Sequence, residues 1–117
     1  MANEITVTFQ TLLNNGNLSD NHSSGSIAID QATAKLVRNV QSIGTSEEAL
    51  VLGDIVTPGC CVFVNLDDTN FVEIGVSGSM FLKLKPGEQS LCRLTTVAPY
   101  AVADTANVEL FYIIYED

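Results

Sequence analysis

The stretch TPGCCVFVNLDDTNFVEIGVSGSMFLKLKPGE, residues 57–88, decides the fold. It contains two Pro-Gly pairs, Pro58-Gly59 and Pro86-Gly87, and a polar run Asp67-Asp68-Thr69-Asn70 between them. Proline presets the first central residue of a type I or II turn, and glycine supplies the positive φ that type II needs next. Between the turns apolar and polar residues alternate, the period of a strand with one face buried. The stretch therefore reads as antiparallel strands: Cys61 to Leu66, a hairpin partner over Asn70 to Val76, a tight turn flanked by Gly75 and Gly78, and Met80 to Lys85.

Further strands are expected on either side. Glu4 to Leu13 alternates, with Ile5, Val7, Phe9 and Thr11 on one face. Asn14 to Gly25 is rich in Asn, Ser and Gly and reads as a long polar loop. Its two Asn-X-Ser triplets, at Asn17 and Asn21, read as chance in a chain with no secretion signal. Ser26–Asp30, Lys35–Ile43 and Ser90–Thr95 suit strands. Thr45-Ser46-Glu47-Glu48 resembles a helix capping box, but Gly53 follows so soon that a short strand is the reading taken. Asn107 to Tyr115 is apolar on both faces, with Phe111, Ile113 and Tyr115 opposite Val108, Leu110, Tyr112 and Ile114. Such a strand is either central in a sandwich or covered by a partner. The whole predicts an all-β chain, an antiparallel β-sandwich of jelly-roll type with about 8–10 short strands. It predicts a single domain over 1–117 with a polar loop at about 14–25.

Composition narrows the function. A net charge of −9 with five scattered cations (Lys35, Arg38, Lys83, Lys85 and Arg93) argues against nucleic acid and anionic membranes. No apolar run approaches the length of a membrane span, and Met1-Ala2-Asn3-Glu4 has neither a basic region nor an apolar signal core. The chain is expected to be made and kept in the cytoplasm. Three cysteines, Cys60, Cys61 and Cys92, are a poor disulfide framework; a pairing of Cys60 or Cys61 with Cys92 is the alternative to the reading taken, reduced small apolar residues.

No catalytic constellation emerges. His22 is the single histidine and lies in a polar stretch, whereas a nucleophile needs a base held rigidly beside it. Asn65, Asp67, Asp68 and Asn70 carry oxygens a Ca²⁺ ion accepts, but without EF-hand spacing; Asp and Asn are what a turn prefers. Glu47 and Glu48 are neighbours, which diverge in a strand and suit a solvated edge. The eight glycines are dispersed in turns and form no phosphate loop. The reading is therefore not an enzyme, with no cofactor and no metal. Alternation instead places Phe71 and Phe81 on the charged side of their strands, beside Glu73, Lys83 and Lys85, which fits either an apolar contact patch or two rings covered by a long loop folded over them. With Phe111, Ile113 and Tyr115 they are the candidate interface residues.

Three segments carry a resemblance: EALVLGDIVTPGCCVFVNLDDTNFVEIGV (residues 48–76), FLKLKPGE (residues 81–88) and ADTANVELFY (residues 103–112). Together they resemble small virion structural proteins of tailed bacteriophages, over about Glu47 to Glu116. The resemblance implies a β-sandwich packed against other virion proteins, with no catalytic residue carried over. The favoured role is a head decoration or cement protein on the capsid exterior, bound to the major capsid protein. A tail or fibre component is the near alternative, and a carbohydrate-binding jelly-roll module is another; the absence of Trp counts against the latter. The resemblance also implies a homo-oligomer, with a trimer favoured, since such proteins sit at local threefold positions and cyclic symmetry is the norm.

Overall fold

The computed structural model describes residues 3–95 and 98–117; Met1, Ala2, Thr96 and Val97 lie outside it, including the first two residues of the amino-terminal segment read above. The chain divides into two compact units, Met1–Ala32 and Thr33–Asp117, where composition suggests one domain.

The second unit is an eight-stranded sandwich. One sheet has the order β10-β7-β12-β5, and the other β6-β11-β8-β9. These strands are β5 (Leu36–Ile43), β6 (Glu48–Ala49), β7 (Pro58–Asn65), β8 (Val72–Val76), β9 (Ser79–Leu84), β10 (Gln89–Arg93), β11 (Tyr100–Ala103) and β12 (Val108–Glu116). All pairings are antiparallel. Successive strands alternate between the sheets except for the β8–β9 hairpin, and the last strand lies beside the first. This is the jelly-roll order. The strand over Thr45–Leu52 is present as two residues, and β11 is a strand the sequence reading passes over.

The buried side chains explain the layers. Phe63 and Cys61 of β7 and Leu110, Tyr112 and Ile114 of β12 meet Val72, Ile74, Leu84, Ala101 and Ala103 in one core cluster drawn entirely from the second unit. Each large aliphatic or aromatic side chain taken fully from water contributes roughly 1.5–3 kcal/mol. The buried polar groups are satisfied. The Tyr112 hydroxyl donates to the Val51 carbonyl at 2.7 Å and accepts from Asn39 Nδ2 at 3.1 Å. Asn65 Nδ2 donates to the carbonyls of Asn70 and Leu84, each at 3.0 Å, and its Oδ1 accepts from the Asp67 amide at 2.8 Å.

Two expectations for residues 57–88 are corrected. Pro58-Gly59 is not a turn but the start of β7. Proline is tolerated at the first position of a strand because no ladder partner calls on its missing N–H. Gly59 fits there because a Cβ would lie 3.1 Å from the Asp117 Cα. The chain reverses earlier, at Gly53 (φ 58°), where the Ile55 amide donates to the Leu52 carbonyl at 3.0 Å. Second, β7 and β8 are not a hairpin: they belong to different sheets, and the Asp67–Asn70 turn carries the chain across the sandwich. Local alternation cannot choose between sheets; β7, apolar on both faces, is drawn to a central place between β10 and β12. The Pro86-Gly87 turn is present, with Gly87 at φ 78° and the Glu88 amide donating to the Lys85 carbonyl at 3.0 Å.

The first unit is a two-stranded ribbon: β1 (Ile5–Val7) pairs with β4 (Ile27–Ile29), and β2 (Gln10–Asn15) pairs with β3 (Leu18–Ser23). The stretch 14–25 is thus not the polar loop expected but largely strand. A two-residue Gly16-Asn17 loop, with Gly16 at φ 59°, closes β2–β3; glycine at the first central position suits the type II′ hairpin turn. Composition misleads here because both ribbon faces are solvated, so no apolar alternation is demanded. Glu4–Leu13 is likewise two strands, interrupted at Thr8-Phe9, where the facing strand takes one extra residue around Gly25 (φ 65°). Side-chain clips tie the ribbon: Ser24 Oγ accepts from the Phe9 amide at 2.8 Å, and Glu4 Oε1 from the Gln31 amide at 2.8 Å.

Candidate functional site

The register of β10-β7-β12-β5 fixes what points away from the core. Ile113 stands between Val62 and Arg38, and Phe111 between Val64 and Val40. Leu91 lies beyond Val62 on β10, and Leu36 faces Tyr115 on β5. The outward face of this sheet is therefore apolar across all four strands. Ile113 is 9% exposed at its centre, Phe111 and Tyr115 are half-buried, and Val40 (48%) and Leu36 are open on the β5 side. Arg38 lays its guanidinium 5.1 Å from the Phe111 ring centroid, a cation–π contact. The structure thus brings Phe111, Ile113 and Tyr115 together on one face. Sequence reasoning left out Val62, Val64, Val40 and Leu91. The available signal was the unbroken apolar run Cys60–Val64, which, like β12, has no polar side to turn to water.

Phe71 and Phe81 lie on the outward side of the other sheet. Phe81 is 63% exposed. Phe71, just before β8, is half-buried, with Lys83 Nζ 4.1 Å from its ring centroid. Lys83 also faces Glu73 across the β8–β9 pair. The pair shifts register between Ile74 and Gly75, leaving Phe81 as the extra residue of a bulge. Gly75 makes this pairing feasible: a Cβ there would lie 2.7 Å from the Met80 Cα. The two phenylalanines therefore share a face but differ in cover.

The remaining polar candidates hold backbone. The Asp67 carboxylate accepts from the amides of Thr69 and Asn70 at 3.0 and 2.6 Å, and these bonds lower its pKa. Glu47 accepts from the Gly78 amide at 3.0 Å, clasping the β8–β9 turn. Its neighbour Glu48 accepts from the Gly44 amide at 2.9 Å. The Glu116 carboxylate accepts from the Val56 and Thr57 amides, and its pKa is held down chiefly by the Val56 bond. His22 sits on the ribbon, its ring 5.7 Å from that of Phe9. The three cysteines are free; Cys61 faces Cys92 across β7–β10, and burial pushes the Cys61 thiol pKa up. Among the described residues no cluster of His, Cys, Asp and Glu side chains is arranged to hold a metal ion. The chemistry available to these surfaces is apolar contact with a charged fringe.

No family model, curated protein or solved structure matches this chain.

Proposed function

We propose that this chain is a structural protein of a tailed-phage virion: a decoration or cement protein that packs on the major capsid protein at the head exterior and self-associates as a closed ring, a trimer. The sequence resemblance supplies the class. The observation that supports the role is that each sheet of the jelly roll presents outward aromatic residues, Phe81 and Phe71 on one side and Phe111 and Tyr115 on the other. Jelly rolls serve in viral shells and in lectins alike, so the fold alone does not choose. A subunit of a shell needs contact surfaces on more than one side, one for the shell and one for its own neighbours. The net charge of −9 suits a protein that is soluble before assembly and stays clear of packaged DNA.

Cryo-electron microscopy of purified virions tests the reading. Density for this jelly roll is expected on the outer head surface. Density in the tail alone replaces the cement role with a tail role, and virions lacking the chain overturn both. Phe81→Ser is expected to reduce retention on particles without unfolding the protein.

A further inference from the structure

The loop that closes the ribbon holds a reactive pair. Of the eight glycines, Gly16 is the one that follows an asparagine. The pairing of Asn15 with Leu18 makes Asn15 the last residue of its strand and Gly16 the first of the turn, at φ 59°. Every residue of β2 and β3 is exposed, and beyond its chain neighbours no atom lies within 4 Å of where a Gly16 Cβ would stand. Among the described residues neither the Asn15 carboxamide nor the Gly16 main-chain amide makes a hydrogen bond. Other asparagines are held. Asn65 and Asn39 donate to carbonyls and to the Tyr112 hydroxyl, Asn70 Oδ1 accepts from Thr105 Oγ1 at 3.0 Å, and Asn21 Oδ1 accepts from Gln10 Nε2 at 3.4 Å. Each of these also precedes a residue that carries a Cβ.

We propose that Asn15 is a site of spontaneous covalent modification, at which the carboxamide is converted through a cyclic imide to aspartate and isoaspartate. The Gly16 main-chain nitrogen attacks the Asn15 Cγ and forms the new C–N bond. The Cγ–Nδ2 bond breaks, and Nδ2 leaves as ammonia with the proton given up by the Gly16 nitrogen. Water then opens the ring at either carbonyl. Opening at Cγ restores the ordinary main chain and leaves aspartate; opening at the main-chain carbonyl leaves the chain running through Cγ, as isoaspartate. The step needs water and no other reactant. A Cβ on the attacking residue obstructs the close approach of backbone that glycine permits. The extended backbone of Asn15 holds the two atoms out of line for ring closure, so the reaction proceeds from the opened ribbon. That opening is accessible, because a two-stranded hairpin is marginally stable and exposed ladder opens locally at small cost.

The product acts back on the ribbon. Leu13 pairs with Asp20 and Asn15 with Leu18, so residues 15 and 20 are diagonal neighbours on one face. A carboxylate at position 15 lies about 7–8 Å from Asp20 across that diagonal. It adds like charge to a segment that already holds Glu4, Asp20 and Asp30 and contains neither Lys nor Arg. The isoaspartate form lengthens the main chain by one carbon just before a two-residue turn, whose fixed geometry has no slack to absorb it. Conversion is therefore expected to loosen the β2–β3 ladder and leave the sandwich intact. The inference is independent of the phage reading.

The experiment is to age the purified full chain in warm, mildly alkaline buffer and follow every asparagine by peptide mass spectrometry. Asn15 is expected to convert at least tenfold faster than any of the other eight asparagines, with isoaspartate the larger product. An Asn15 that keeps its amide while another asparagine converts overturns the site, and a product that is aspartate alone overturns the cyclic imide. Gly16→Ala is expected to slow conversion at least tenfold. Because that change also strains a residue at positive φ, Asn15→Gln, which leaves the turn residue in place, is the second variant; it is expected to abolish isoaspartate in the peptide spanning the turn, and isoaspartate that persists there overturns the assignment. Hydrogen exchange reads the consequence. Amides of residues 10–23 are expected to exchange at least tenfold faster in the converted chain than in the fresh one, with residues 36–116 unchanged; equal exchange before and after conversion overturns the effect on the ladder.

Discussion

The ribbon of residues 3–32 and the sandwich of residues 33–117 are both built from antiparallel strands closed by glycine turns, yet they are held by different means. In the sandwich every strand but the short β6 sends side chains into a shared core, and the buried polar groups of Tyr112 and Asn65 are fully hydrogen-bonded. In the ribbon the strands β2 and β3 are joined by their ladder and by side-chain clips such as Ser24 to Phe9, and every residue of theirs is exposed. Net gains of about 1 kcal/mol per hydrogen bond are offset by the cost of ordering each residue. The difference teaches that strand pairing sets a conformation, whereas burial makes it persist.

The sharpest way to test this contrast is to open the sandwich core. Phe63→Ala, at a fully buried site, is expected to cost about 3–5 kcal/mol in denaturant unfolding; a loss no larger than a surface change breaks the comparison. Asn65→Ala leaves two carbonyls and one amide without their partner and is expected to cost about 1–3 kcal/mol. Glu116 sharpens the picture through pH. Its folded pKa lies below the ordinary 4.5, so its contribution is full above that value and is lost as pH falls through the lowered folded value. Glu116→Gln is therefore expected to be less stable than the wild type at neutral pH, with the gap closing on acidification; a gap that is constant in thermal melts from pH 7 to 3 refutes the assignment. The phenylalanine pair gives smaller effects. Phe71→Ser loses a half-buried ring and the Lys83 contact, an expected cost of about 1 kcal/mol, while Phe81→Ser is expected within about 0.5 kcal/mol. Equal losses at the two sites remove the distinction in cover. Smallest of all, Leu13→Ser in the ribbon is expected to leave the main unfolding transition within about 0.5 kcal/mol.

These two regions also mark how far the sequence could be read. Within the sandwich, period-two alternation placed β5, β8, β9 and β10 close to their observed bounds, because each has one face in a core. The doubly apolar Asn107–Tyr115 was legible as a strand either central in a sandwich or covered by a partner, and the structure places it between β7 and β5. Pro58-Gly59 was not legible, since whether the pair turns or begins a strand depends on Glu116 of β12 lying alongside, 58 residues later. The partition of β7 and β8 between sheets is of the same long-range kind. In the ribbon, the alternation of Glu4–Leu13 and the strand at Ser26–Asp30 were legible, but β3 was not, because its residues are exposed on both faces and carry no apolar period. The candidate interface on Phe111, Ile113 and Tyr115 was visible as residues, but its breadth was not, because Val62, Val64, Val40 and Leu91 join it only through register.

The placing of β12 between β7 and β5 also governs the order of events during synthesis. Until Val108–Glu116 has left the ribosome, β5 lacks the one strand partner it has among the described residues, β7 lacks one of two, and their inner faces stay open to water. Pairings this distant in sequence are slow to form and leave unpaired edges exposed meanwhile. A chain released early would carry those edges permanently, a template for aggregation. The strand Val108–Glu116 is thus the keystone, and the sandwich is complete only in chains that include it.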